Sequence, residues 1–495
     1  MRVHLVGVSG TGMGALASLF CEAGHEVSGS DVAFDPPIGP TLRALGVRCF
    51  EGYDASHVDG AELVVVGNAI RRGNPEAAAA EQAGIPRESM SGALRAHFLA
   101  GRRPLVVAGT HGKTTTSAMC AWLLEAAGLE PGWFIGGIPK GLKGGAAIGS
   151  TKVRMLARMP EGIGQNAMRR SPFVVEGDEY DAVYWRKQPK FLDYVGLGSD
   201  DVVIVANLEH DHVDIYPDAA AYEAAFASLL RAVPEGGVIV GNAHDARLRA
   251  LAGEARARIA WTALEHDDTG DVTPTWLAAP AHVAPDGTQT FDLFAGGVSC
   301  GRFALRVPGR HNVRNALSAI AACAEGFRVD PPATRAPMAS FEGVRRRQDL
   351  LGSPGGVRVY DDFAHHPTAV DETLRALRSR HPDGALWVAF EPRSATACRA
   401  LHQEAYARAF DTADHVLLAP LGRTNVPEGE RLDLARLARE LGEKGEAMQS
   451  VAAIAERLAS GTRSGDTIAL LSNGAFGGLG NMLLEALGAR RATTP

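Results

Sequence analysis

"LVVAGTHGKTTTS", Leu105 to Ser117, places a glycine turn between an apolar, β-branched run and a stretch that reads as a helix. Strand, turn and Gly-Lys-Thr at a helix start make a phosphate site. Backbone N–H groups converge on the anion, the helix dipole favours it, and Lys113 adds a point charge. Gly109, Thr110, His111, Gly112, Lys113, Thr114 and Thr115 are the candidate contacts, and the Thr114 hydroxyl can reach a magnesium ion. A full phosphate-loop motif wants glycine at position 107, where this chain has Val107, so the match is to the shorter GTHGKT. His111 keeps two readings, one on the phosphate face and one purely structural.

Working outward, "GVSGTGMG" (7–14) forms another glycine turn between strand and helix, and Asp31 ends the next strand where a ribose contact would lie. Taken alone, it favours a dinucleotide-dependent oxidoreductase. The spacing departs from GxGxxG at Ser9, and a tight turn without ligand is the other reading.

A chain of 495 residues exceeds one core, so two to four domains are expected. The net charge of −7 argues against a nucleic-acid or acidic-membrane partner. Six scattered cysteines without a CxxC pair fit reduced cytosolic thiols. No signal-peptide pattern is seen, and no apolar run reaches the about 20 residues of a membrane span. The expectation is a cytoplasmic α/β protein.

"RVHLVGV", "EVSGSD" and "ELVVVGN" read as strands and "MGALASLFCEAG" and "PEAAAAEQAG" as helices, an alternation that implies a parallel, doubly wound sheet. "AGRRP" (100–104) reads as a linker before a second α/β segment, and Pro331–Pro337 opens a third. The glycine-rich, then basic span 141–170 reads as a long loop or insertion.

Two apolar strands end in acidic patches: Glu176, Asp178 and Glu179 in "FVVEGDEYD", and Glu209, Asp211, His212 and Asp214 in "ANLEHDHVD". Strand ends of a parallel sheet gather ligands, and carboxylates beside a phosphate loop suit Mg²⁺. Asn312 and Asn315 stand at a helix start, where Asn312 is equally a cap or a base contact. Arg345, Arg346 and Arg347 read as a solvated face or as a source of one arginine for a transferring phosphoryl group. Asp361, Asp362, His365 and His366 follow another strand, and the adjacent histidines lack the i,i+4 spacing of a helical metal site.

In this order, "GTHGKTTT", "EGDEYD", "NLEHDHVDIY", "GRHNVRNA", "FEGVRRRQ" and "DDFAHHP" resemble the Mur ligase family, ATP-dependent amide-bond-forming ligases of peptidoglycan assembly. The likeness runs from "GVSGTGMG" to "SNGAFGG". It implies an α/β protein of three domains: a Rossmann-like UDP-sugar-binding domain over 1–102, a P-loop ATP-binding domain over 103–333, and a Rossmann-like acceptor-binding domain over 334–495. The two glycine turns then serve UDP and ATP.

The resemblance further implies UDP-sugar contacts at Ser9, Gly10, Thr11, Gly12, Met13, Ser30, Asp31 and Asn68. It implies catalytic roles for Lys113, Glu176, His212, Arg347 and Asp362, and ATP contacts at the loop, Asn312, Asn315 and Arg347. Mg²⁺ would be held through Thr114, Glu176 and His212. The acceptor would meet His366, Glu391, Arg393, Ser394 and Asn473. "VVEGDEYD" and "FEPRS" are similar to the branch that adds the tripeptide L-alanyl-γ-D-glutamyl-meso-diaminopimelate to UDP-N-acetylmuramate in peptidoglycan recycling. Glu391 and Arg393 would meet the tripeptide's charged groups, or form a surface ion pair. The alternative is the member that adds L-alanine. Both act on small molecules, as a monomer or weak homodimer. Several family members carry a carbamylated lysine after "DHxD"; here "YPDAAAYEAAF" has none, and Phe226 stands near that place.

Overall fold

The computed structural model describes residues 1–36, 38–150, 170–284, 286–423 and 425–493. Among these residues the chain builds three α/β units, each around a mainly parallel sheet.

The first sheet takes β1 (Arg2–Val6), β2 (Glu26–Asp31), β3 (Arg48–Glu51), β4 (Leu63–Val66) and β5 (Arg87–Ser89) in the order 3-2-1-4-5. All its pairings are parallel. The strand order reverses beside β1, and the Gly7–Gly14 turn leaves β1 at that point to open α1 (Thr11–Glu22). Gly7 has φ +85°, a left-handed conformation that glycine adopts without a Cβ clash.

The central sheet has β6 (Arg103–Ala108) between β9 (Val202–Val205) and β8 (Pro172–Glu176), with β7 (Gly132–Phe134) beyond β8. β10 (Val238–Asn242) and Arg258–Leu264 continue past β9 into an antiparallel arm, Trp276–Val283, Gln289–Ala295 and Val298–Leu305. Leu105, Val106, Val107 and Ala108 are all fully buried, as expected of a parallel strand covered on both faces. Val107 pairs with Ile204 and Glu176 in the strand ladder. The phosphate loop is short because position 107 still belongs to the strand. The loop opens α2 (Lys113–Ala126), which packs with α3 (Arg310–Phe327) over the sheet.

The third sheet places Arg358–Asp362 and Leu386–Phe390 on either side of Thr467–Leu471, all parallel. Helix α4 (Pro367–Arg380) follows the Arg358–Asp362 strand.

Three expectations change. The 100–104 stretch joins the first unit to the second, but from Arg102 onward it is packed and is not a free linker. Arg102 is buried, donates to the Ile148 carbonyl (2.5 Å) and lies over the Phe173 ring, while Arg103 begins β6 and donates to the Asp200 carbonyl (2.7 Å). Asn312 is not a helix cap: Gly309 caps α3, and Asn312 Nδ2 donates to the Pro308 carbonyl (2.9 Å). Of the expected insertion at 141–170, Ala146–Ala147 forms a short strand against β7, and residues 151–169 lie outside the described residues.

Candidate active site

The phosphate loop is clamped from β9. The Thr110 N–H donates to the Asn207 carbonyl (3.1 Å), the His111 N–H donates to Asn207 Oδ1 (2.9 Å), and Asn207 Nδ2 returns to the His111 carbonyl (3.2 Å). These two amides are therefore committed to shaping the loop and are not aimed at an anion, contrary to the expected cradle of amides from Thr110 onward. Gly112 has φ +82°, and a Cβ there would lie 2.5 Å from Asn315 Oδ1. That contact explains a glycine at 112 and places Asn315 against the loop.

Lys113 Nζ is held by the Gly109 carbonyl (2.7 Å) and by both carboxylate oxygens of Glu179 (2.8 and 3.1 Å). Glu179 also faces His212 Nε2 at 2.9 Å. Burial alone would raise the Glu179 carboxyl, but Lys113 and His212 outweigh it and bring it down to about 2. His212 is raised in turn: burial opposes its charge, and Glu179 prevails. His212 itself has φ +54°, an uncommon conformation for a non-glycine residue, and Tyr216 and Ile215 amides converge on its carbonyl.

A second pairing lies alongside. Glu176 accepts from the Thr114 hydroxyl (2.8 Å) and from the Gly136 N–H (2.6 Å). Its carboxyl is raised by burial and by Asp178. Arg347 reaches this pair from the start of the third unit, donating to Thr114 Oγ1 at 3.1 Å and lying over the Phe363 ring. Both neighbours of Arg347 adopt left-handed conformations, Arg346 at φ +61° and Gln348 at φ +49°. Such positions cost about 1–3 kcal/mol each and persist where the surroundings impose them. Here Asp349 accepts from the Arg346 N–H (3.2 Å), and Asp362 accepts from the Gln348 N–H (2.6 Å) and the Ala364 N–H (2.7 Å). Asp362 is thus spent on holding the loop that aims Arg347; burial raises its carboxyl, with Arg347 opposing.

These groups line one cavity of about 990 Å³ between the three units. Ser9, Gly10, Thr11, Gly12, Met13, Asp31 and Asn68 form its first wall, the phosphate loop, Glu176 and His212 its centre, and Asn312, Asn315, Arg347, Asp362 and Asn473 its far side. Several expected residues have other duties. Ser30 is fully buried, with its hydroxyl on Glu76, because alternation along β2 turns it away from the cavity. Asp31 accepts from the Ser9 N–H (2.8 Å) and from the Val32 N–H (2.8 Å), so it closes the glycine turn where a ribose contact was expected. Glu391 accepts from the Ser472 hydroxyl, and Ser394 Oγ accepts from the Ala397 N–H (2.9 Å). The Arg393 guanidinium stands 3.9 Å from Glu391 and is 45% exposed, a loose ion pair still open to a ligand. His366 caps α4 through the Thr368 N–H (3.4 Å) and faces Glu209, while His365 lines the cavity. Phe226 is buried against Phe191 and Tyr222, inside the core.

His111 lines the cavity and also bridges outward: its Nε2 lies 3.3 Å from Glu209 Oε2, and its ring meets that of His366. Glu179, Glu209 and His365 belong to the motifs named in the sequence, but the sequence assigns none of them an individual role. Their signal was present, but which acidic residue of "EGDEYD" turns to the lysine depends on the chain path after Glu176. A second cavity of about 640 Å³ opens on the other side of Gly112 and Asn315, with His244, Asp267 and Arg314 around it. No helix among the described residues is long and apolar enough to cross a membrane.

Three α/β units closing on a phosphate loop and a set of buried carboxylates define a nucleotide-dependent transfer enzyme. Family models describe the same three parts: "Mur ligase family, catalytic domain" over 2–102, "Mur ligase middle domain" over 187–323 and "Mur ligase, glutamate ligase domain" over 346–474. The chain is 35% identical to the UDP-N-acetylmuramate–L-alanyl-γ-D-glutamyl-meso-2,6-diaminoheptandioate ligase of Escherichia coli strain K12, over 98% of both chains. It is 36% identical to the UDP-N-acetylmuramate–L-alanine ligase of Paenarthrobacter aurescens strain TC1, over 98% of this chain and 97% of that one. The crystal structure of a murein peptide ligase from Psychrobacter arcticus 273-4 superposes with a TM-score of 0.70 at 32% identity, covering 99% of both chains. The chain belongs to the Mur ligase family, whose members are ATP-dependent ligases that form carbon–nitrogen bonds.

Proposed function

We propose that the chain joins the carboxylate of UDP-N-acetylmuramate to the amine of L-alanyl-γ-D-glutamyl-meso-diaminopimelate, at the expense of ATP, in peptidoglycan recycling. The observation that carries this reading is the single cavity that links the Gly7–Gly14 turn, the phosphate loop and Arg347. UDP lies on the first wall, and the γ-phosphate of ATP lies between Lys113 and Glu176. The nucleoside end passes Asn315 into the second cavity. The units then divide as 1–102 for the UDP-sugar, 103–333 for ATP and 334–495 for the acceptor.

A free carboxylate is a poor acyl electrophile, so it first displaces ADP from the γ-phosphorus and becomes an acyl phosphate. The deprotonated amine then adds to the acyl carbon, and phosphate leaves from the tetrahedral adduct. The residues contribute positioning and charge. Lys113 exchanges Glu179 for phosphate oxygens, and Arg347 brings a second cation once the third unit has closed. Closure also excludes water that would hydrolyse the acyl phosphate. The Thr114 hydroxyl and Glu176 carboxylate, 2.8 Å apart, are oxygen donors that suit Mg²⁺, and His212 would add a further donor once it gives up its Nε2 proton and its contact with Glu179. When bound, the ion would neutralise phosphate charge.

The exposed Arg393 guanidinium, with Glu391 beside it and Asn473 on the cavity wall, favours an acceptor bearing several charges. The second reading, an L-alanine acceptor, draws support from the 36% identity to a ligase of that name. Phosphate release with UDP-N-acetylmuramate, ATP and either tripeptide or L-alanine tests the choice. Release with tripeptide is expected; release with L-alanine alone overturns the tripeptide reading. In this reading the enzyme is cytoplasmic, acts as a monomer or weak homodimer, and takes only small-molecule substrates.

A further inference from the structure

His111 of the phosphate loop, Glu209 after β9 and His366 at the head of α4 bring one ligand atom each within 4.8 Å of one another. Both imidazole contacts are made to the same oxygen. His111 Nε2 and His366 Nδ1 each lie 3.3 Å from Glu209 Oε2. Ligands about 2.0–2.1 Å from a tetrahedral zinc ion stand about 3.3 Å apart, so two of the three separations already have that value. The third separation is within 4.8 Å.

The hydrogen bonding around the trio points to a cation. His366 Nδ1 lies 3.4 Å from the Thr368 N–H and 3.3 Å from Glu209 Oε2; in the tautomer protonated at Nε2, its one lone pair meets that long amide contact and is the donor a cation would take in its place. Glu209 Oε2 already accepts from the Thr368 hydroxyl at 2.7 Å. In that tautomer Nδ1 and Glu209 Oε2 are both acceptors 3.3 Å apart, and a cation bound to both satisfies them. Neutral imidazole and carboxylate are the forms that bind metals. The Thr368 hydroxyl orients the carboxylate from outside, as outer partners of metal sites do. Next to His366, the His402 ring is 4.6 Å away, and its buried Nε2 has no hydrogen-bond partner among the described residues.

We propose that His111, Glu209 and His366 form a binding site for a divalent transition cation of the zinc class, separate from the Thr114–Glu176 pair. Two nitrogen donors and one oxygen match Zn²⁺ or Co²⁺ and do not suit Mg²⁺, which prefers oxygen. The ion would tie the third unit, through His366, to the phosphate loop, through His111.

The test is Zn²⁺ binding to the full chain by equilibrium dialysis and elemental analysis in excess Mg²⁺, with Co²⁺ as a spectroscopic substitute. One equivalent of Zn²⁺ and the visible bands of tetrahedral Co²⁺ are expected. Loss of an outer partner of a metal site costs about 10–100-fold, so Glu209→Gln and His366→Ala should each weaken binding by at least about 100-fold and Thr368→Val by about tenfold. Glu176→Gln should leave the Co²⁺ bands unchanged. Far-UV circular dichroism checks that each variant folds, and the near-isosteric Glu209→Gln keeps the test decisive if His366→Ala does not. Failure to retain Zn²⁺ overturns the proposal. So does binding that falls with Glu176→Gln and survives Glu209→Gln.

Discussion

Lys113 Nζ lies 2.8 Å from Glu179 Oε2, so the phosphate-loop lysine is neutralised within its own site by a fully buried carboxylate. Removing one partner of a buried pair leaves an uncompensated charge and costs about 3–5 kcal/mol. Glu179→Ala should therefore lower stability by an amount of that order in denaturant titrations. Glu179→Gln, which retains hydrogen-bonding atoms, should lose less.

The same pair sets an acid limit. Glu179 is held at about 2, below its ordinary value of 4.5. Its contribution to stability is therefore complete above about pH 4.5 and is lost as the pH falls toward 2. Melting temperatures of the wild type across that window should fall more steeply than those of Glu179→Gln. Parallel curves would remove the carboxylate from the account.

Gly112 combines a φ of +82° with a missing Cβ that would meet Asn315 at 2.5 Å. Gly112→Ala should destabilise the chain by about 1–2 kcal/mol through the left-handed backbone and weaken nucleotide binding by at least about tenfold. Gly253→Ala, where nothing lies within 4 Å of the added carbon, should change neither quantity. Nucleotide titration calorimetry on both variants checks this.

Arg347 donates to Thr114 from the third unit. Arg347→Ala should lower kcat by about 10²–10³-fold, the range seen when a donor to developing charge is removed. Arg347→Lys should recover little, since an ammonium lacks the planar fork and its stacking on Phe363. Single-turnover phosphate release, with circular dichroism to check folding, measures both.

Ser30 and Asn68 separate a core role from a binding one. Ser30→Ala should leave the KM for the UDP-sugar unchanged and lower stability by about 1–3 kcal/mol, because Glu76 loses a buried donor. Asn68→Ala, on the cavity wall, should raise that KM and leave stability unchanged. A raised KM in Ser30→Ala would return that residue to the binding site.

Elements that depend on neighbours along the chain were legible in the residues alone. β6, the short loop and α2 follow from an apolar run, two glycines and Lys-Thr-Thr, and the alternation of strands and helices led to parallel sheets. Motif order was enough to point to the family. Which side chain of each motif meets which partner depends on the packing of the units. In "EGDEYD" it is Glu176, at the end of β8, that meets Thr114, and Glu179, beyond that strand, that meets Lys113. In "DDFAHHP", Asp362 is consumed by backbone amides and His366 turns to Glu209, leaving His365 on the cavity. The family resemblance implies a contact at Ser30 beside Asp31, but one step of strand alternation carries Ser30 into the core. Such assignments rest on contacts between residues tens to hundreds of positions apart. Local periodicity gives the direction of a side chain relative to its own strand or helix, and only the packing of the three units fixes what that side chain faces.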